Sequence, residues 1–204
     1  MTARFIAIAG NIGAGKSTLV GFLARQFDLL PLYEPVSDNP YIEDFYKSME
    51  RWALNSQIFY LSRKFALHLE AQKSERRVLI DRTIYEDAEI FVENLYRSRF
   101  IQKRDYDTYN ELYRTIRSEL QPPDLLIYLR CSVRGARRRI RKRARESEMA
   151  IPLPYIRSLH ALYEAWFERY DIGPKAVIET EELDYLRNIF DHVEFIQQIE
   201  RLLS

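Results

Sequence analysis

The segment at positions 10–18 constrains this chain more than any other feature of its sequence. It reads Gly-Asn-Ile-Gly-Ala-Gly-Lys-Ser-Thr and fits the pattern G-x-x-x-x-G-K-S/T. The apolar run at 5–9 precedes it directly, and a helix-forming stretch at 19–26 follows it. Because the pattern forms a phosphate-binding loop when it lies between a strand and a helix, we predict such a loop here.

The residues of this segment have the chemistry to hold a nucleoside triphosphate. Its glycines let the backbone turn its N–H groups inward, and the next helix adds the positive end of its dipole. Lys16 is expected to reach the β- and γ-phosphates, and the Ser17 hydroxyl to ligate Mg²⁺. The predicted ATP-binding residues of the loop are Gly10, Asn11, Ile12, Gly13, Ala14, Gly15, Lys16, Ser17 and Thr18.

Length and composition indicate an ordinary globular domain. The 204 residues suffice for one full core, and the net charge of +1 gives no reason to expect a nucleic-acid partner for the chain as a whole. One cysteine, Cys131, excludes an intramolecular disulfide and fits a reducing compartment. The sequence has no signal-peptide h-region and no apolar run near the ~18 residues of a membrane span. We therefore expect a cytoplasmic protein without membrane contact.

Short apolar runs alternate with longer amphipathic segments along the chain. The runs lie at 5–9, 29–33, 77–80, 124–129 and 175–178. This alternation predicts an α/β fold, with a parallel five-stranded sheet flanked by helices. Ligands of such sheets bind at the carboxyl ends of the strands.

Acidic residues follow two of these runs. Glu34, held by Pro35, is placed to face the phosphate loop, and the alternative is a turn acid in solvent. Asp81 follows the third run, where it can orient Mg²⁺, and Arg82 can neutralise charge on a transferring phosphoryl group. The alternative for Asp81 is the N-cap of a helix starting near Thr83. A phosphate loop upstream favours the functional interpretation of Asp81 and Arg82.

Basic residues are concentrated between 130 and 145. Acidic residues and two prolines follow directly within 146–154, which indicates a mobile lid whose arginines close over the phosphates. A solvated face and a nucleic-acid patch are the alternatives, and Arg134, Arg137 and Arg138 are expected to be solvated.

Polar residues also interrupt the aromatic helical segments. Most of the 14 tyrosines and 11 phenylalanines must be core residues, so the polar positions among them carry more information. Gln57 and Asp87 are an amide and a carboxylate that can read the edge of a nucleobase, with Phe91 stacking on its face.

Several further short motifs follow the phosphate loop along the chain. They are Glu34-Pro35, Tyr46-Lys47, Trp52-Ala53 followed by Gln57, Asp81-Arg82-Thr83, the segment 91–94, Arg143-Ala144-Arg145 leading to Glu148 and 151–153, and the segment 179–184. Through them the chain resembles, nearly end to end, the deoxynucleoside kinases of the deoxyguanosine, deoxycytidine and deoxyadenosine kinase group. The resemblance implies a P-loop NTPase-like kinase domain over 1–204, with an arginine-rich lid at about 143–151. It also implies ATP or another triphosphate as donor, a Mg²⁺ cofactor and a homodimer.

The resemblance also implies roles near the transferred phosphate. Glu34 is the general base at the 5′-hydroxyl of the nucleoside. Asp81 lies beside it, binds Mg²⁺ with Ser17, and is the alternative base. Arg82 and Arg143 stabilise the transferring phosphoryl group. The further ATP-binding positions that it implies are Arg139, Arg143, Arg145, Glu181, Glu182 and Leu183.

For the nucleoside itself, the resemblance implies that Tyr46 and Glu148 hold the 3′-hydroxyl. Gln57 then pairs with the base and Phe91 stacks on it. Two further substrate positions, Lys64 and Asp87, are charged in family members that act on guanine, adenine or cytosine. The thymidine-accepting branch has apolar residues at the same positions, so the chain is predicted to prefer purines or cytosine. Lys64 replaces the arginine that is usual in the family.

A nucleoside monophosphate kinase of the thymidylate kinase type is the alternative enzyme, since it shares the loop, the Asp-Arg pair and the lid. It would need cations to clamp the acceptor phosphate, whereas this chain offers Glu34 there. A nucleotide-dependent switch would need a guanine-reading motif such as Asn-Lys-x-Asp, which the chain lacks.

Overall fold

A parallel β-sheet forms the centre of the computed structural model, which describes residues 3–34, 38–181 and 189–203. Within these residues its strands are β1 (Phe5–Ala9), β2 (Leu30–Leu32), β3 (Val78–Asp81), β4 (Leu125–Arg130) and β5 (Lys175–Glu179). Their order is β2-β3-β1-β4-β5, and every neighbouring pair is parallel. The predicted parallel five-stranded sheet is confirmed, and the ends of each strand lie within one residue of those of its predicted run.

Helical segments connect the strands. They are α1 (Lys16–Phe27), α2 (Ile42–Lys47), α3 (Met49–Lys73), α4 (Ile84–Glu86), a π-helical segment (Asp87–Val92), α5 (Glu93–Arg97), α6 (Lys103–Ser118), α7 (Val133–Arg143), α8 (Glu146–Met149), α9 (Leu153–Arg169) and α10 (Ile189–Leu203). None of these described helices combines the length and the apolar character that crossing a membrane requires.

The central strands are buried along their whole length. Every residue of β1 and β3 is buried, as expected for parallel strands covered by helices on both faces. Because all strands run in the same direction, their carboxyl ends share one edge of the sheet. That edge brings together the loop after β1, Glu34 after β2 and Asp81 at the end of β3.

The loop after β1 depends on its glycines. Gly13 has a φ of 80°, and a Cβ there would lie 2.5 Å from the carbonyl oxygen of Ala136. Gly15, with a φ of 102°, is the N-cap of α1, so the helix begins at Lys16. Both positions require a residue without a side chain, since positive φ is disfavoured for other residues. The loop can therefore present its N–H groups at the start of α1.

The segment after β3 changes its helical period. Thr83 is the N-cap of α4 and forms a capping box with Glu86, so the alternative role of Asp81 as a helix cap is wrong. The π-helical segment Asp87–Val92 then replaces an α-helical turn. Such segments are frequent at functional sites, and this one carries both Asp87 and Phe91.

Candidate active site

A cavity of about 660 Å³ opens at the carboxyl edge of the sheet. Its wall combines the phosphate loop with residues that follow β2 and β3, with α2 and α3, and with residues between 143 and 155. The lining residues are Ile12, Gly13, Gly15, Lys16, Ser17, Tyr33, Glu34, Ile42, Glu43, Phe45, Tyr46, Gln57, Tyr60, Arg82, Asp87, Phe91, Arg143, Arg145, Glu148 and Tyr155. Most of the predicted site residues thus face one space.

Lys16 lies across the phosphate loop. Its ammonium donates to the carbonyl oxygens of Gly10 at 2.9 Å and Asn11 at 3.1 Å. Burial, with a smaller contribution from the nearby positive charge of Arg82, lowers the pKa of Lys16 to about 8. A bound polyphosphate would supply the negative charge that this buried ammonium lacks.

Ser17 and Asp81 form the part of the site that fits a metal ion. The Ser17 hydroxyl donates to Asp81 Oδ2 at 2.5 Å, while the buried Asp81 Oδ1 has no hydrogen-bond partner within the described structure. A hydroxyl and a carboxylate oxygen are ligands that Mg²⁺ accepts together with phosphate oxygens and water. The residues present therefore fit Mg²⁺ held jointly with a nucleotide.

Glu34 is bound between two cations. Arg82 Nη1 donates to both carboxylate oxygens at 2.7 Å, and Lys64 Nζ lies 2.9 Å from Oε1. Burial alone would raise the pKa of Glu34, but the charges of Arg82 and Lys64 outweigh it and hold that pKa well below its usual range. Glu34 is therefore an ionised carboxylate, and with 10% exposure of its side chain it is not a turn acid in solvent.

Lys64 joins Glu34 to Asp87. Its ammonium is fully buried and lies 2.6 Å from Asp87 Oδ1. Lys64 is not among the lining residues of the cavity, because the two carboxylates cover it. Lys64, a predicted substrate position, thus lies behind residues that line the cavity.

Two oxygen acceptors on the cavity wall lack partners. Within the described structure neither Gln57 Oε1 nor Asp87 Oδ2 has a hydrogen-bond partner, although both are buried. Burial raises the pKa of Asp87 to about 6 despite the opposing effect of Lys64. Phe91 lies on the same wall, with the Arg82 guanidinium carbon 4.7 Å from its ring centroid. This part of the cavity is suited to a flat ligand with hydrogen-bond donors on its edge.

Residues of the segment 143–151, which the sequence predicts to be a lid, also line the cavity. Glu148 is buried, accepts from Arg143 Nε at 3.0 Å, and lies 3.4 Å from Arg145 Nη1. Tyr46 of α2 lines the same cavity. Ala144 between the two arginines has a φ of 50° and ends α7, so the chain turns there into α8.

Arg139 binds the outer side of the phosphate loop. Its guanidinium donates to the carbonyl oxygen of Ala14 at 3.3 Å and to Thr180, which follows β5. Glu181 accepts from the backbone N–H of Ser132 at 3.1 Å. The two predicted ATP contacts at 182 and 183 lie outside the described residues.

Several other predicted positions are exposed. Thr18 is exposed and absent from the cavity lining, as are Arg134, Arg137 and Arg138 of α7. The exposure of these arginines agrees with the expectation that they are solvated.

Sequence reasoning missed two kinds of site residue. Tyr60 and Tyr155 line the cavity, but among so many aromatic residues nothing in the sequence distinguishes them from core. Glu86 is fully buried and fixes the start of the phosphate loop, because it accepts a hydrogen bond from the Gly10 N–H at 3.2 Å. The Thr-x-x-Glu spacing of its capping box was the available signal.

A model of the family described as deoxynucleoside kinase matches residues 6–204. The chain belongs to the deoxynucleoside kinase family. The kinase is 36% identical over 203 residues to a deoxyguanosine kinase of Lactobacillus johnsonii, covering 95% of this chain and 90% of that relative. It is 35% identical over 212 residues to the human mitochondrial thymidine kinase 2, covering 98% of this chain and 77% of the relative.

Solved structures agree with this assignment. The structure of deoxyadenosine kinase from M. mycoides with bound dATP superposes on the kinase with a TM-score of 0.82 and 32% identity. The match covers 96% of this chain and 98% of that one. These relatives are named for different bases at similar identity, so the base preference of this kinase has to be argued from its own cavity.

Proposed function

We propose that this kinase transfers the γ-phosphoryl group of ATP, or of another nucleoside triphosphate, to the 5′-hydroxyl of a deoxynucleoside in nucleotide salvage. The observation that carries the proposal is the position of Glu34. This ionised carboxylate lines the same cavity as Lys16 and Ser17 of the phosphate loop and as Gln57 and Asp87. We infer that a neutral hydroxyl acceptor meets the donor phosphate beside this carboxylate.

Each residue near Glu34 then has a chemical role. The Glu34 carboxylate accepts the proton of the 5′-hydroxyl as the oxygen attacks phosphorus. Arg82 and Arg143 stabilise the charge that spreads over the transferring group, and Lys16 holds the β- and γ-phosphates. Ser17 and Asp81 would hold Mg²⁺, which when bound neutralises phosphate charge.

Charge at the acceptor end argues against a monophosphate acceptor. Arg82 is already paired with both oxygens of Glu34, so it offers little free charge to a second phosphate. The 5′-phosphate of a monophosphate acceptor would lie beside the Glu34 carboxylate, and two negative charges in contact repel strongly in a buried site. A nucleoside with a neutral hydroxyl meets no such penalty.

The base is proposed to carry an exocyclic amino group, as adenine, guanine and cytosine do. The unpartnered Gln57 Oε1 and Asp87 Oδ2 are acceptors, and an amino group supplies the donors that they lack. Thymine has a single N–H donor on its pairing edge and no amino group, so it can satisfy only one of these two acceptors and leaves the other unpaired. Phe91 is proposed to stack on the face of the base.

A phosphorylation assay tests this function directly. ADP release is measured with ATP and each of the four deoxynucleosides, and in parallel with the four deoxynucleoside monophosphates. The proposal requires turnover with at least one deoxynucleoside and much less with every monophosphate. Turnover that is fastest with a monophosphate would contradict the proposal and would indicate a nucleoside monophosphate kinase of the thymidylate kinase type.

The first prediction concerns the preference for the base and uses the buried pair of Lys64 and Asp87. The double variant Asp87→Ala/Lys64→Met removes both buried charges together and leaves Glu34 paired with Arg82. We expect kcat/KM for thymidine relative to deoxyadenosine to rise about tenfold, because an unpaired buried acceptor costs about 1–3 kcal/mol. Glu43→Ala, which changes an exposed carboxylate of the same cavity, is the control and should leave the ratio unchanged. A wild-type enzyme that already prefers thymidine to every other deoxynucleoside would refute this interpretation of the pocket.

Sugar recognition gives a second prediction. Glu148→Ala and Tyr46→Phe should each weaken the binding of substrates with a 3′-hydroxyl more than that of 3′-deoxy analogues. Removing one partner of a buried hydrogen bond costs about 1–3 kcal/mol, and only a substrate that makes the bond can lose it. Asp44→Ala is the control, since Asp44 is exposed and absent from the cavity lining. Equal weakening of both substrate types would show that these side chains do not touch the 3′-hydroxyl.

The domain organisation, location and oligomeric state of the kinase are also proposed. We propose one kinase domain with a lid at about 143–151, a cytoplasmic location and a homodimer. The family match over residues 6–204 supports the first of these, and the break between α7 and α8 at Ala144 supports the lid position.

A further inference from the structure

A fully buried carboxylate, that of Glu86, lies behind the wall of the active-site cavity. Its side chain has 0% exposure, and it is absent from the cavity lining. Glu86 Oε2 accepts from the backbone N–H of Thr83 at 2.8 Å and from its hydroxyl at 3.2 Å. These two bonds complete the capping box of α4 and account for one of the two oxygens.

The second oxygen of Glu86 connects three other elements. Oε1 accepts from the backbone N–H of Gly10 at 3.2 Å and from the Tyr163 hydroxyl of α9 at 2.9 Å. It also lies 3.7 Å from Arg82 Nε, which makes no hydrogen bond within the described structure. A helix cap requires none of these contacts. A carboxylate this deeply buried needs charge and hydrogen-bond partners, and Arg82 supplies the charge.

Arg82 therefore lies between two carboxylates. Its Nη1 binds Glu34 and its Nε faces Glu86, while Nη2 donates to the Gly10 carbonyl oxygen at 3.2 Å. Glu86 thus binds the N–H of Gly10 and Arg82 binds its carbonyl oxygen, so two adjacent side chains fix both polar groups of this residue. The first residue of the phosphate loop and the guanidinium are held as one unit.

The two carboxylates differ in their access to substrate. Glu34 lines the cavity, and both of its oxygens are occupied by Arg82 or Lys64. To accept the hydroxyl of a substrate, Glu34 has to loosen one of these bonds. Arg82 is buried, so a guanidinium that lost Glu34 without another counter-charge would be costly to keep in place.

We propose that Glu86 is a positioning residue of the phosphoryl-transfer site. It holds Arg82 and the Gly10 peptide in place while Glu34 exchanges a bond to Arg82 for the hydroxyl of the substrate. This role rests on the proposed function, because the exchange needs a hydroxyl acceptor. Glu86 acts through Arg82 and touches no reacting atom itself.

The variant Glu86→Gln tests the role, since it keeps the shape and removes the charge. We expect kcat to fall about 10²-fold with KM for the deoxynucleoside changed less than about threefold, because a displaced group costs transition-state stabilisation rather than ground-state binding. Tyr163→Phe is the matched control, as it removes one donor to the same oxygen and keeps the charge. It should lower kcat less than about fivefold. An equal loss in both variants would assign the effect to the hydrogen bond with Tyr163 rather than to the charge of Glu86, and would overturn the proposal.

A double-mutant cycle with Arg82→Gln separates positioning from capping. If Glu86 acts through Arg82, adding Glu86→Gln to Arg82→Gln should lower kcat little further, whereas a full multiplicative loss would overturn the role. Should Glu86→Gln alone fail to fold, as judged by circular dichroism, the double variant should recover the fold, because it also removes the buried guanidinium that Glu86 helps to neutralise. A double variant that also stays unfolded would contradict the proposal.

The wild type in the same assay separates this inference from the proposed function. A wild type that phosphorylates no deoxynucleoside would overturn both. An active wild type with an unchanged Glu86→Gln variant would overturn the role of Glu86 alone.

Discussion

Replacing Lys16 by alanine is expected to abolish phosphoryl transfer and to leave the fold intact. The loss of kcat should be at least about 10²–10³-fold, the range for removing one group that stabilises transition-state charge. The fold should survive because the pKa of Lys16 is lowered to about 8 by burial, so below that pH the folded state carries a charge that it disfavours. The alanine variant removes this cost, and the Gly10 carbonyl keeps its bond from Arg82.

Two measurements check the Lys16→Ala variant. ADP release with the preferred deoxynucleoside measures transfer, and urea unfolding measures stability, which should change by less than about 1 kcal/mol. Lys73→Ala, an exposed lysine at the end of α3, is the matched control and should match the wild type in both. Near-normal turnover in Lys16→Ala would remove the phosphate-loop interpretation altogether.

Glu34→Gln is expected to lower kcat by about 10²–10⁴-fold, the range for losing a general base. The structure adds a second consequence, because Glu34 is the shared counter-charge of Arg82 and Lys64. An amide there leaves two buried cations with less negative charge, so unfolding in urea should occur at lower denaturant. Binding of the deoxynucleoside, measured by calorimetry, should change much less than kcat.

The control for Glu34→Gln is Asp81→Asn, since Asp81 is the alternative base. Asp81 Oδ2 accepts from Ser17, on the side of the site that fits Mg²⁺, so its variant should mainly raise the Mg²⁺ concentration needed for half-maximal rate. If Asp81→Asn loses kcat at saturating Mg²⁺ while Glu34→Gln stays nearly active, the base is Asp81.

The order and type of the elements could be predicted from the sequence because the signals for them are local. The apolar runs of the buried strands and the glycine pattern of the loop each act over a few residues, and the edge where the strands end follows from parallel order. The π-helical segment Asp87–Val92 was not predictable in this way. Its residues suit an α-helix equally well, and its period is set by packing against the surrounding elements.

Charge pairing inside the site also could not be predicted from the sequence, because it depends on contacts between distant elements. Lys64 and Glu86 are fully buried, whereas lysine and glutamate in a helical segment ordinarily indicate an exposed face. Their partners lie far away in sequence: Lys64 on α3 meets Glu34 after β2, and Glu86 meets Gly10 of the loop. Only the three-dimensional approach of these elements makes such charges stable.

The ammonium shared by Glu34 and Asp87 restricts how this enzyme can evolve. A lineage that lost Asp87 first would keep an unneeded cation beside Glu34, and one that lost Lys64 first would carry a buried aspartate without its partner. Breaking one side of a buried pair costs about 3–5 kcal/mol, against total stabilities of about 5–15 kcal/mol for typical domains. Losing Lys64 first is therefore the costly route, whereas Lys64 keeps Glu34 as its partner when Asp87 is lost first. The ammonium shared by the two carboxylates therefore constrains the order in which these two positions can change.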